Sequence, residues 1–159
     1  MPISRHGLEL LKQLEGFSST VYLDSGGEPT IGIGHRLTRS ERRSGKILLD
    51  NISIQYADGL TEEQSLALLA QDLVMVNGTV GYWVLVPLKQ HQFDALVSFA
   101  FNVGNEAFAQ STLLKLLNAG QYDAVPAQLR RWVMDNGKRV PGLVNRREME
   151  ISLWVTVHV

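Results

Sequence analysis

Leu8, Leu11 and Leu14 recur at i, i+3 spacing with Leu10 beside them, behind Ser4 and ahead of Gly16. A serine cap, an apolar stripe and a glycine stop predict an amphipathic helix ending at about Glu15. From 17 to 35 the rhythm changes to alternation. Val21 and Leu23 flank Tyr22, Ser25-Gly26-Gly27 reads as a turn, and Pro29 to Gly34 forms a second apolar run. This predicts a small hairpin of strands. Pro29 cannot donate to a ladder, which points to an edge position for the second strand. Residues 39 to 45 are polar and predict a surface turn or short helix, and Ile47 to Ile54 predicts a short strand before Ala57-Asp58-Gly59.

Helical spacing then takes over. Thr61-Glu62-Glu63-Gln64 is a capping box ahead of Leu66, Leu69, Leu73 and Val76, predicting one long helix that ends near Gly78. After Pro87, the positions Phe93, Leu96, Val97 and Ala100 share a face, while Phe99 and Phe101 extend the apolar character around it. That predicts a central, buried helix stopping at Gly104. Ser111-Thr112 caps a short helix carrying Leu113, Leu116 and Leu117. Another helix starts at Asp123 or Pro126 and carries Leu129, Trp132 and Val133, Asp135-Asn136-Gly137 is a turn, and Gly142 to Trp154 forms the last helix. The layout is a helix, a small β-region and then helices only, which is an α+β arrangement.

Composition narrows the class. A chain of 159 residues buries a real core and fits one domain. With 45% apolar and 19% charged residues it reads as globular. The formal net charge of -1 argues against general affinity for nucleic acid or anionic membrane. The charge is uneven: residues 128 to 159 carry six basic and three acidic side chains, which offers a local basic face. With no cysteine, disulfides, thiolate metal sites and cysteine nucleophiles are excluded. Charges recur along the first fifteen residues and no apolar run approaches a membrane span. Neither a signal peptide nor stable membrane insertion is expected, and the protein is expected to remain in the cytoplasm that makes it.

The chemistry concentrates in residues 15 to 35. Glycoside hydrolysis uses one carboxylic acid to protonate the leaving oxygen and a second carboxylate to activate water or attack the sugar. Glu15 and Asp24 are candidates, and Thr30 stands across the turn from Asp24, where hydroxyl and carboxylate can share a water. A carboxylate at a helix C-terminus faces the negative end of the dipole, which disfavours its ionised form and suits a proton donor. The plain alternative is that two acids and a threonine are solvated surface groups.

The order Glu15-Gly16, Tyr22-x-Asp24 and Thr30-Ile31-Gly32-Ile33-Gly34-His35 closely resembles the phage-type lysozymes (endolysins), family 24 of the glycoside hydrolases. The family's Glu, Asp and Thr triad falls without a gap on Glu15, Asp24 and Thr30. The resemblance continues through Asp72, Gln92-Phe93-Asp94-Ala95-Leu96, Phe101-Asn102-Val103-Gly104, Ser111-Thr112-Leu113 and Gly142 to Glu150. It implies a single lysozyme-like domain over 1 to 159. A small β-containing lobe spans about 16 to 60, and residues 1 to 15 with 61 to 159 form a helical lobe with the connecting helix, the cleft lying between the lobes. The implied activity is a muramidase that cleaves the β-1,4 bond between N-acetylmuramic acid and N-acetylglucosamine in peptidoglycan, without a cofactor. Glu15 is then the general acid, and Asp24 with Thr30 positions water or stabilises the oxocarbenium-like state. The implied setting is phage lysis of a bacterial host by a monomer that reaches the wall with help from a separate holin-type protein.

Rivals are a lytic transglycosylase using Glu15 on the same bond, a non-catalytic wall-binding or phage-particle module, and the same chemistry in a toxin or a puncturing device. His35 reads as a structural residue near the site, with Asp72 as a candidate ion-pair partner. A metal role is not expected, since His6, His91 and His158 lack ligand spacing. Phe101 and Asn102 fit a sugar face and an acetamido group, though Phe101 is equally a core residue. Ser111 and Thr112 resemble cleft residues, though an N-cap explains them as well. Arg146 and Arg147 either meet acidic stem peptides, lie on a solvated face, or pair with Glu150. Trp83, Trp132 and Trp154 read as core.

Overall fold

The computed structural model describes residues 1 to 156; His158 lies outside them. The chain divides into two compact units, one formed by residues 1 to 7 with the chain from Leu73 onward, the other by Leu8–Asp72.

In the Leu8–Asp72 unit, α1 (Arg5–Glu15) contributes its C-terminal two turns. Ser4 caps this helix by accepting the Gly7 N–H at 3.1 Å, and Gly16 at φ 79° ends it, its N–H donating to Lys12 O at 2.9 Å. A three-stranded antiparallel sheet follows, in the order β1 (Ser18–Leu23), β2 (Pro29–Gly32), β3 (His35–Arg36). The expected edge strand is therefore the central one. Pro29 is tolerated because it is the first residue of β2 and its carbonyl accepts the Leu37 N–H at 3.0 Å. The run expected to continue to Gly34 stops at Gly32, because Gly32 and Gly34 take φ 67° and 68° and turn the chain back as β3.

Residues 39 to 60 fold as α2 (Arg39–Ser44), then a hairpin of β4 (Lys46–Leu49) and β5 (Ile52–Gln55). Thr38 and Glu41 form a capping box for α2, and Gly45 closes it at φ 71°. Two strands stand where one was expected, because Asp50 and Asn51 take φ 50° and 66° and make the two-residue turn that suits a hairpin. Ile47 and Leu49 point inward and join Ile31, Leu37, Leu60 and Leu68 in one core cluster. The last element here is α3 (Glu62–Asp72), whose capping box joins Thr61 N–H to Gln64 Oε1 at 2.9 Å and Gln64 N–H to Thr61 Oγ1 at 3.0 Å.

The expected single long helix is two, α3 and α4 (Val74–Trp83), which meet at Leu73. No proline or glycine lies at the break, so nothing local announces it. The apolar face nevertheless holds, and Leu66, Leu69, Leu73 and Val76 are all buried.

The second unit is helical: α4, α5 (Gln90–Val103), α6 (Asn105–Ala109), α7 (Thr112–Asn118), a 3-10 turn at Tyr122–Ala124, α8 (Val125–Leu129) and α9 (Pro141–Val155). The short hairpin of β6 (Met134–Asp135) and β7 (Lys138–Arg139) precedes α9. α5 is the core of this unit, with Ala95, Leu96, Val97, Phe99 and Ala100 fully buried, and it packs along α9. The helix expected to carry Trp132 and Val133 stops at Leu129. Trp154 is buried and Trp132 partly so, but Trp83 is exposed rather than core.

Candidate active site

Glu15 is the last residue of α1, and its carboxyl lies against Gly34. A methyl group on Gly34 would stand 3.4 Å from Glu15 Oε2. Gly34 allows the positive φ of the β2–β3 turn, and a side chain there would touch the acid.

Asp24 follows β1 and opens a tight turn. The Gly27 N–H donates to its carbonyl and its own N–H donates to Glu28 O, both at 2.9 Å. Its Oδ1 accepts the N–H groups of Gly26 and Glu28, each at 2.9 Å, and Arg36 Nε donates to Oδ2 at 3.1 Å. The Glu28 N–H above all, joined by the Gly26 N–H and the Arg36 guanidinium, holds the carboxyl below its ordinary range against an opposing effect of desolvation. Asp24 is thus a fixed acceptor.

Thr30 lies in the central strand, buried, with Tyr22 and Arg36 as its cross-strand neighbours. Its Oγ1 donates to Glu28 O at 2.9 Å, so the lone pairs of the hydroxyl are what it offers. One residue thereby organises the pair: the Glu28 N–H holds Asp24, and the Glu28 carbonyl, in the next peptide along, holds Thr30. Neither Glu28 nor Arg36 stands out in the sequence. Only the strand register, which sets Thr30 opposite Arg36, would have revealed the latter.

His35 is buried between two carboxylates. Nδ1 donates to Asp72 Oδ2 and Nε2 to Glu41 Oε1, both at 2.8 Å. Burial opposes the imidazolium, but the hydrogen bonds and charges of Asp72 and then Glu41 outweigh it and push the ring up to about 9. Glu41 Oε1 also accepts the Thr38 N–H at 2.8 Å, so the histidine is tied to the cap of α2. Among the described residues no three His, Asp or Glu side chains gather as a metal site.

The remaining candidates belong to the helical unit. Phe101 is half-buried near the end of α5. Asn102 is exposed and its Oδ1 accepts from Arg147 Nη2. Ser111 is buried, and its hydroxyl is used twice, donating to Phe108 O at 2.7 Å and accepting the Leu114 N–H at 3.1 Å as the N-cap of α7. Thr112 is exposed and lines a pocket of about 280 Å³ with Gln128, Arg131 and Trp132.

Arg146 and Arg147 are buried, which overturns the solvated face, and both pair with Glu150. Arg146 Nε reaches Glu150 Oε2 at 3.3 Å, Arg147 Nη1 bonds Oε1, and Ser98 Oγ donates to Oε2 at 2.5 Å. Arg147 also donates from Nε to Trp132 O at 3.0 Å and lies 5.1 Å over the Phe99 ring. Burial pushes the Glu150 carboxyl up, against the two guanidiniums and the Ser98 hydroxyl that favour its charge. The network ends at Asn102, which links a buried ion cluster to an exposed amide.

Comparison with known proteins gives the family of the chain. The family model described as phage lysozyme matches residues 12–150. The endolysin of Acyrthosiphon pisum secondary endosymbiont phage 1 is 38% identical over 158 residues, covering 97% of this chain and 98% of that protein. The endolysin of Salmonella phage P22 is 39% identical over 156 residues, covering 98% and 99%. Among solved structures, the muramidase domain of SpmX from Asticaccaulis excentricus superposes with a TM-score of 0.79 at 35% identity, covering 98% of each chain.

Proposed function

The chain belongs to the phage lysozyme family and is a glycoside hydrolase of the muramidase, endolysin kind, and we propose that it hydrolyses the β-1,4 bond between N-acetylmuramic acid and N-acetylglucosamine. Glu15 gives its proton to the glycosidic oxygen as the bond to the anomeric carbon breaks. A water donates its two hydrogens toward the Asp24 carboxylate and the Thr30 hydroxyl, which leaves a lone pair aimed at that carbon. Asp24 takes the proton as the new C–O bond forms, and its charge stabilises the oxocarbenium-like state. Attack from the face opposite the leaving group gives an inverting course.

The observation that carries this reading is the pinning of Asp24 and Thr30 to the main chain of one residue, Glu28. A bound water needs two acceptors at a fixed separation, and this arrangement supplies them on a rigid turn. A transglycosylase, which uses the sugar's own hydroxyl, has no need of such a pair. We further propose that the enzyme acts as a monomer on the wall of its bacterial host and that a separate holin-type protein opens the way to it.

Mass spectrometry of muropeptides released from purified sacculi tests the chemistry. Free reducing ends are expected, and 1,6-anhydro ends would overturn the hydrolytic step. Glu15→Gln is expected to abolish release while the thermal melt stays close to that of the parent; a variant with full activity would remove Glu15 from the mechanism.

A further inference from the structure

Trp83 ends α4 with 44% of its surface exposed, and Tyr82 beside it is 72% exposed. The two rings meet edge to face, 5.0 Å between centroids. Trp83 opens onto a pocket of about 350 Å³ whose other walls are Thr79 of the same helix and Asn105, Glu106, Ala109 and Gln110 on and beside α6. The backbone beneath the indole is clamped: Asn118 Nδ2 donates to Trp83 O at 2.9 Å, and the Leu85 N–H donates to Asn118 Oδ1 at 2.8 Å. The main chain that carries the aromatic platform is therefore held in place before any ligand arrives.

The polar wall is incomplete. Asn105 Oδ1 is buried and has no hydrogen-bond partner. Such orphans are rare in folded proteins and point to a donor supplied from outside the chain. Gln110 Nε2 meets Glu106 Oε1 only at 3.5 Å, a weak contact that leaves both groups able to bond hydroxyls. An aromatic face, a buried amide acceptor awaiting an N–H, and a carboxylate beside an amide match one ligand class. A pyranose ring has an apolar face, an N-acetyl sugar carries an amide N–H, and its rim is hydroxyl.

We propose that this pocket is an accessory glycan site that holds an N-acetylhexosamine unit of the peptidoglycan strand. The sugar's apolar face lies on Trp83, its acetamido N–H bonds Asn105 Oδ1, and its hydroxyls meet Glu106 and Gln110. The proposal rests on peptidoglycan being the substrate. Its residues are separate from Glu15, Asp24 and Thr30, so it retains the enzyme on insoluble wall between cuts.

The test uses the full chain carrying Glu15→Gln, titrated with the N-acetylglucosamine trisaccharide and followed by nitrogen-15 NMR. The Trp83 indole N–H and the Asn105 side-chain amide are expected to shift together. Trp83→Ala in the same background is expected to weaken binding to purified sacculi by about tenfold, in line with the contribution of an aromatic contact. Gln110→Ala, an exposed change, is expected to weaken it less and keeps the test alive if Trp83→Ala does not fold. In the active protein, Trp83→Ala slows clearing of sacculi while leaving turnover of a short soluble glycan unchanged. Shifts confined to the surroundings of Glu15, Asp24 and Thr30, or undiminished sacculus binding by both folded variants, would overturn the site. Failure of the protein to cleave either substrate would count against the muramidase chemistry and leave the binding result standing by itself.

Discussion

Glu15 and Gly34 share one small space, with Oε2 of the acid 3.4 Å from where a methyl group on the glycine would stand. Gly34 also sits at φ 68°, a conformation that costs a residue with a side chain about 1–2 kcal/mol. Gly34→Ala is therefore expected to lower stability by that order and, as the strained turn relaxes against the acid it touches, to lower kcat/KM as well. Thermal melts beside muropeptide release measure the two effects. Lowered stability with unaltered kcat/KM would mean that Gly34 shapes the turn and not the acid.

Asp24 owes its ionised state more to the turn than to its cation. The Glu28 N–H is the largest influence, while Arg36 is 70% exposed at its side chain. Arg36→Ala is expected to retain most of the turnover, whereas Asp24→Asn abolishes it. Because the Asp24 carboxyl is depressed, its carboxylate persists as pH falls until the lowered value is reached. Loss of Arg36 raises that value, so the acid limb of the pH–rate profile moves to higher pH. An unmoved acid limb would separate Arg36 from the titration.

His35 predicts a pH dependence of stability with a definite sign. Its folded value is raised from 6.5 to about 9 by Asp72 and Glu41 against burial. The stabilisation is complete below about pH 6.5 and is lost as pH rises through 9, amounting to on the order of 2–3 kcal/mol. Urea melts at pH 6 and pH 9.5 measure it, and His35→Asn should flatten the difference. His35→Asn is also expected to lower stability more than turnover. A variant that folds as well as the parent but is inactive would give His35 a role in the chemistry.

Glu150 neutralises two buried guanidiniums at once. Removing one partner of a buried ion pair strands the other, at a cost of about 3–5 kcal/mol. Glu150→Gln is expected to destabilise by that amount, and Ser98→Ala by about 1–2 kcal/mol as its bond to Glu150 and the longer one from Arg146 are lost. Denaturant titration distinguishes them, and near-equal effects would mean that the carboxylate is not the hub.

What the sequence determined by itself was local. The Ser4 cap, the Thr61 to Gln64 box, the Gly16 stop and the apolar stripe through Leu66, Leu69, Leu73 and Val76 are all set by residues within about four positions of one another, where spacing is written directly in the chain. The Glu15, Asp24 and Thr30 candidates were legible for the same reason, as a short helix-and-hairpin segment with a recognisable order. The turn at Asp50 and Asn51 is also local, yet its second residue is not the glycine that usually signals such a turn. Tertiary structure decided the rest. The partners of Asp24, His35 and Ser98 stand 12, 37 and 52 positions away in Arg36, Asp72 and Glu150. So do the central place of β2, the burial of Arg146 and Arg147 and the exposure of Trp83 depend on which surfaces meet. A side chain's charge, burial and freedom are properties of its neighbours, and distant neighbours exist only once the chain has folded.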